Sequence, residues 1–169
     1  MGPRQKARPV GLAIAALLGC SQASHAAACL FKDGIYTQKE SRYVLRFVPS
    51  RQLGRFSGTS NVFYVDVPNF DKPLLSWVIW NNGESRPTAR VMLDCPPDGQ
   101  TNEDFEECTQ WHGVMYALTG DGAALLPGED EPAPATILLP DFGRKMRYSS
   151  VGDIENVPWD IFRFDRCGK

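Results

Sequence analysis

The stretch LLSWVIWNNGESRPTARVML, Leu74 to Leu93, carries the architecture in its side-chain period. Leu74 to Trp80 is a run of apolar and aromatic residues that stops at Asn81-Asn82-Gly83. Thr88 to Leu93 then alternates, with Ala89, Val91 and Leu93 on one face and Thr88 and Arg90 on the other. A period of two is the side-chain period of a strand, not of a helix. Asn-Gly between two such runs is the strongest short hairpin signal, because a type I′ turn needs positive φ at both central residues. The stretch therefore predicts an antiparallel hairpin with a tight turn. Trp77 and Trp80 differ in parity and point to opposite faces. Trp77 shares its face with Leu75 and Ile79 and is the expected core residue. Trp80, at the mouth of the hairpin, is the candidate surface residue for a partner.

The same pattern recurs outward from this hairpin. Tyr43–Val48 stops at Pro49, and Val62–Val67 stops at Pro68. Trp111–Leu118 ends in Thr119-Gly120-Asp121-Gly122, with Ala123–Leu126 as a returning partner. Ala135–Leu139 and Lys145–Ser149 flank a turn-like Pro140-Asp141-Phe142-Gly143. Ile161–Phe164 sets Phe162 and Phe164 on one face. The prolines fall at the ends of runs, where they cost no ladder hydrogen bond. No segment after residue 30 carries a helical stripe. These features predict an all-β domain, an antiparallel β-sandwich or barrel of about eight to nine short strands. Pro96–Glu107 and Pro127–Pro134 are polar, acidic and proline-flanked, and read as surface loops. No repeat or linker divides residues 29–169, so one domain is expected.

The first residues follow the grammar of an export signal. Arg4, Lys6 and Arg8 precede the apolar run VGLAIAALL, Val10–Leu18. That run is far shorter than the roughly 20 residues a membrane-spanning helix needs. Residues 1–26 are the expected signal peptide, with cleavage near Ala26 to Ala28. In the alternative route, Leu17-Leu18-Gly19-Cys20 acts as a lipobox. Cleavage then precedes Cys20, which becomes the lipidated residue. Either route removes Cys20 from the five cysteines. Cys29, Cys95, Cys108 and Cys167 remain, an even number in an exported chain, which implies two disulfides. Four cysteines allow three pairings. The preferred one joins Cys95 to Cys108 across a short loop and Cys29 to Cys167 across the whole domain. No C-x-x-C pair supports a zinc site.

The catalytic inventory is thin. Once the signal is removed, His112 is the one remaining histidine, and any Ser-His or Cys-His chemistry would have to pass through it. There is no G-x-S-x-G elbow, S-x-x-K motif, phosphate loop or dinucleotide fingerprint. Asp98 to Glu106 offers oxygen ligands at alternate positions. Counted from Asp98, however, positions 6 and 12 of a calcium loop hold Glu103 and Thr109 instead of Gly and Glu. Asp66 and Asp94 lie on predicted strands, and nothing in the sequence brings them together as a glycosidase pair. No catalytic residue, metal or cofactor is therefore assigned.

Charge points to a partner. Without Arg4, Lys6 and Arg8, 15 of the 18 basic residues face 20 acidic ones, a net charge of −5. Acids concentrate at 94–107 and 129–131, leaving the rest mildly basic. Such segregation steers a charged protein partner and disfavours nucleic acid. The sequence is therefore read as an exported, non-enzymatic binding protein of the periplasm or envelope. An inhibitor or immunity-type protein for an envelope hydrolase fits this reading, with Glu103, Asp104, Glu106, Glu107 and Trp80 as the partner-binding residues. A carbohydrate-binding or carbohydrate-active module, using an exposed tryptophan to stack on sugar, is the alternative. A lipoprotein held to the outer membrane by Cys20 is the third.

Overall fold

The computed structural model describes residue 2 and residues 29–53, 58–81, 83–95 and 102–168. The segment read as an export signal, with Cys20, lies outside the described residues, as do Asn82 and residues 96–101 of the acidic loop. Among the described residues ten strands form: β1 (Gly34–Thr37), β2 (Val44–Val48), β3 (Thr59–Asp66), β4 (Leu74–Ile79), β5 (Thr88–Met92), β6 (Thr109–Val114), β7 (Tyr116–Thr119), β8 (Gly122–Leu125), β9 (Thr136–Leu138) and β10 (Ile161–Cys167). Two short helices join them, α1 (Asn102–Cys108) and α2 (Phe142–Arg147). The strands make one antiparallel sheet in the order β6-β5-β4-β3-β2-β1-β10-β9-β7-β8.

That order chooses a barrel-like curl over a sandwich. β6 opens the order and β7 is the last strand but one, yet Met115 alone separates them in the chain. Consecutive Cα atoms are only about 3.8 Å apart, so the sheet must bend until these two positions meet. Inward parity runs through the junction without a break. Trp111, Met115 and Ala117 are all buried. One run of chain therefore serves β5 with its first half and β9 with its second. Gly113 shares this parity, and a Cβ there would lie 2.7 Å from the Trp111 indole. Its role is to make room for the ring. The bulge in this region falls at Gln110, between the pairs Val91↔Trp111 and Met92↔Thr109.

The concave side holds the main core. Leu45, Phe47, Phe63, Val65, Leu74, Val78, Ala89 and Val91 alternate inward along β2 to β5. Phe47 faces Phe63 in register, and their rings stack at 5.1 Å. Phe31, in a 3-10 turn at Phe31–Asp33, packs on Phe47 at 4.2 Å. Cys29, two residues earlier, is bonded to Cys167 at the end of β10, with Cα atoms 5.8 Å apart.

Three local expectations are corrected. β4 and β5 pair antiparallel, but Ile79 faces Thr88, so residues 80–87 form a wide loop instead of a two-residue turn. Pro87 lacks the N–H a ladder needs, which holds the start of β5 back to Thr88. Within the loop, Glu84 N donates to Asn81 O at 3.2 Å and Gly83 has φ of 87°. The end of the acidic loop, 102–108, is helical as α1. The segment expected as a turn at 140–143 and a strand at 145–149 instead forms α2. Its first amides find their acceptor far along the chain. Asp160 accepts from Asp141 N at 2.8 Å and from Gly143 N at 2.9 Å. Helix starts require such acceptors. Phe142 and Met146, one turn apart, are both fully buried in the core. Gly143 is obligatory, because a Cβ would lie 2.1 Å from the Pro158 carbonyl oxygen.

Candidate functional site

The acidic segment becomes a cover on the convex side. Val62, Trp77 and Met92 form a second, smaller cluster there, with Leu75, Ile79 and Phe105 packed against it. Trp77 is thus buried, but beneath α1 instead of in the main core. Phe105 of α1 meets the Trp77 ring edge-on at 5.9 Å. The bond from Cys95 to Cys108 ties α1 to the end of β5, with Cα atoms 5.2 Å apart. Arg90 on β5 donates to Glu106 at 3.0 Å and to Thr109 at 3.3 Å, and its guanidinium lies over the Phe105 ring.

The candidate acids therefore differ in availability. Glu106 is engaged with Arg90, and Asp104 is half-buried. Glu103 and Glu107 are exposed. The second acidic run has partners of its own. Glu129 accepts from the Ser50 amide at 2.8 Å and the Ser50 hydroxyl at 3.1 Å. Asp130 pairs with Lys32, and Glu131 accepts from Gly128 N at 2.6 Å. The second run thus organises the loop beside Phe31–Asp33 through its own partners, Ser50, Lys32 and the Gly128 amide. Trp80 is 43% exposed, and its amide donates to Gly58 O at 2.9 Å. It follows Trp77 by three residues with opposite parity, which turns it away from the face that α1 covers. Asp66 grips Arg46 with both oxygens at 2.6 and 2.8 Å, while Asp94 pairs with Lys72. Each is a separate surface ion pair.

His112 is half-buried on β6, directly opposite Arg90, and Lys145 donates to its carbonyl at 2.9 Å. Burial lowers its pKa below the ordinary imidazole value; Arg90 and Lys145 add to this, while Glu106 and Glu84 oppose it. The folded state thus holds fewer protons than the unfolded chain just below the ordinary value of about 6.5. Unfolding free energy should fall as pH drops from there through the lower folded pKa. Urea midpoints measured across this range would show the slope, and His112→Gln should reduce it. An equal slope in that variant would assign it to other groups.

A further concavity lies on the outer side of β9 and β10. It is a groove of about 960 Å³ whose lining includes Leu138, Trp159 and Ile161. Trp159 is 67% exposed, yet its backbone is fixed. The buried Gln38 side chain accepts from Trp159 N at 3.0 Å and donates to Trp159 O. Ser41 in turn donates to Gln38 Oε1 at 2.5 Å. An exposed indole is thus presented on an anchored backbone. Arg144, paired with Asp141, lines it. Arg163 lines it as well, without an ion-pair partner among the described residues. Glu40 and Glu155 add carboxylates to the walls. The sequence offers Trp159 as one tryptophan of four but hides the clamp, because Gln38 lies 121 residues away. The groove joins an aromatic platform, an available guanidinium and hydrogen-bonding carboxylates, a set suited to binding. No family model, curated protein or solved structure matches the chain.

Proposed function

We propose that this chain is an exported, non-catalytic binding protein of the cell envelope, and that the Trp159 groove receives a protein partner. The observation that carries the reading is the 67% exposed Trp159 on a backbone gripped by buried Gln38. Tryptophan and arginine dominate the energetic centres of protein interfaces. Here Trp159 and Arg163 line one groove with Leu138 and Ile161. The two disulfides support an oxidising, non-cytoplasmic setting. Release into the periplasm or medium after cleavage near Ala26 to Ala28, or anchoring through Cys20, completes the proposal. The exposed Glu103 and Glu107 of α1 form a second contact zone, steering a basic partner. An inhibitor or immunity-type role toward an envelope hydrolase is the form this binding takes.

Trp159→Ala should leave stability within about 0.5 kcal/mol, as for other surface changes. It should weaken partner binding at least tenfold, about 1.4 kcal/mol. Quantitative capture from envelope extract, comparing wild type, Trp159→Ala and a neutralised α1, would check both zones. Retention of the same proteins at equal strength by Trp159→Ala would overturn the groove's role. A carbohydrate ligand is the second reading, favoured by an aromatic platform flanked by the carboxylates of Glu40 and Glu155. It predicts capture by immobilised glycan, competed by free sugar and lost in Trp159→Ala.

A further inference from the structure

We propose that β8 is a self-association edge, through which two copies of this chain pair antiparallel into one continuous sheet. Among the described residues, β8 closes the strand order and pairs with β7 alone. All four of its residues, Gly122-Ala123-Ala124-Leu125, are exposed. Unpaired sheet edges are ordinarily protected by shortness, charge, proline, a bulge or a covering segment, because their free N–H and C=O groups recruit another strand. β8 is short, at 4 residues, but it contains no charge and no proline, and its pairing with β7 has no register shift.

The register identifies which groups are free. Thr119 faces Gly122 across a two-residue loop, followed by Leu118↔Ala123, Ala117↔Ala124 and Tyr116↔Leu125. In a hairpin closed this way, the Thr119/Gly122 and Ala117/Ala124 pairs exchange the hydrogen bonds. The backbone N–H and C=O of Ala123 and Leu125 then point away from β7, toward the open edge.

A second copy complements this edge. Centred on Ala124, the pairing sets Ala123 opposite Leu125 of the other copy, and each such pair exchanges two hydrogen bonds. Ala124 meets Ala124 at the twofold axis, where two methyl groups allow the usual strand spacing of about 4.8 Å. β8 ends at Leu125, Leu126 packs against the core and Pro127 O accepts from Asn61 at 3.4 Å, so the paired segment is residues 123–125, which carries no charge. The parity of the pairing keeps both convex faces on the same side. Ala117, Ile137 and Phe162 point inward, so Leu125, Tyr116, Leu138 and Ile161 form an outward apolar row across four strands. The pairing carries that row on to Ala123 and Leu118 of the other copy. Isologous contacts of this kind close after two copies. Both Trp159 grooves would then open toward one side, although the pairing does not depend on what the grooves bind.

The edge is short, so the dimer is concentration-dependent. Sedimentation of the purified, oxidised mature protein should show a monomer–dimer equilibrium, and Leu125→Lys should weaken it at least tenfold. Ala124→Cys should give a disulfide-linked dimer on mild oxidation, because non-hydrogen-bonded opposite residues have Cα atoms about 4.5 Å apart, within disulfide range. Ala123→Cys, offset from its own copy across the axis, should crosslink far less. Circular dichroism of each variant distinguishes lost pairing from lost folding. A monomer at every concentration, together with no crosslinking of the Ala124→Cys variant, would overturn the proposal. So would a dimer unaffected by Leu125→Lys that crosslinks equally at both positions.

Discussion

Replacing Cys29 and Cys167 with serine is expected to lower the unfolding free energy by about 5 kcal/mol. The bond closes a loop of 138 residues in sequence separation. On the chain-entropy account, a loop this long constrains the unfolded chain more than a short one does. The native state is also exposed to the loss. Cys167 ends β10 and pairs in register with Gly34 at the start of β1. Cys29 leads into Phe31, whose ring packs against Tyr36 and Phe47. Without the bond, both chain ends are free to fray together and withdraw Phe31 from the core. Domains of this size hold roughly 5–15 kcal/mol in total, so the variant should be partly unfolded at physiological temperature. Removing Cys95 and Cys108 should cost less, about 3 kcal/mol for a separation of 13 residues, and act mainly on α1. Urea unfolding of the two double variants beside the wild type measures the contrast. Equal losses would show that local structure, and not loop length, sets the contributions.

The second large effect is expected at Phe142→Ala, about 3–5 kcal/mol. Phe142 is fully buried, and its ring meets Tyr43, Trp111 and Phe162 edge-on at 6.1, 5.8 and 5.5 Å. These partners come from separate stretches: Tyr43 beside β2, Trp111 on β6 and Phe162 on β10. Truncation leaves a cavity where α2 closes the curled sheet, at a junction that cannot collapse without moving strands. Gly143→Ala attacks the same junction by overpacking, against the Pro158 carbonyl. Phe105→Ala is a useful contrast, because its ring covers only the small outer cluster around Trp77. Thermal and urea melts should rank Phe142→Ala well below Phe105→Ala. The reverse order would place the stability of the molecule on its convex side.

Several features could be read from local pattern. The alternation in Tyr43–Val48, Val62–Val67 and Thr88–Leu93 marks strands, since period two is a property of neighbouring residues; the start of β3 at Thr59 lies outside that pattern. Phe162, inward on β10, follows from the same rule. Other features could not be read this way. Asn-Gly at 82–83 signals a tight turn, yet Pro87 and the position of Trp80 open the loop. Phe142-Gly-Arg-Lys-Met146 carries only one helical turn of pattern, too little to distinguish from a turn. Its helix depends on Asp160, which supplies acceptors to two otherwise unpaired amides.

The candidate site divides along the same line. The acids of α1 and the exposed Trp80 are visible as residue types. Whether an acid is available depends on partners such as Arg90 for Glu106 and Ser50 for Glu129, which only the folded sheet brings near. Trp159 becomes a platform through Gln38, and neither residue carries a local signal for the other. Residue order alone was enough for an antiparallel, all-β domain with four cysteines available for two bridges, because alternation, turn residues and cysteine parity are local or countable. Three-dimensional packing was needed for the curl of the sheet at Met115, its closure by α2, and the exposure of Trp159 above a groove. Each of those depends on hydrogen bonds or packing between residues far apart in the chain, whose energies no local pattern records.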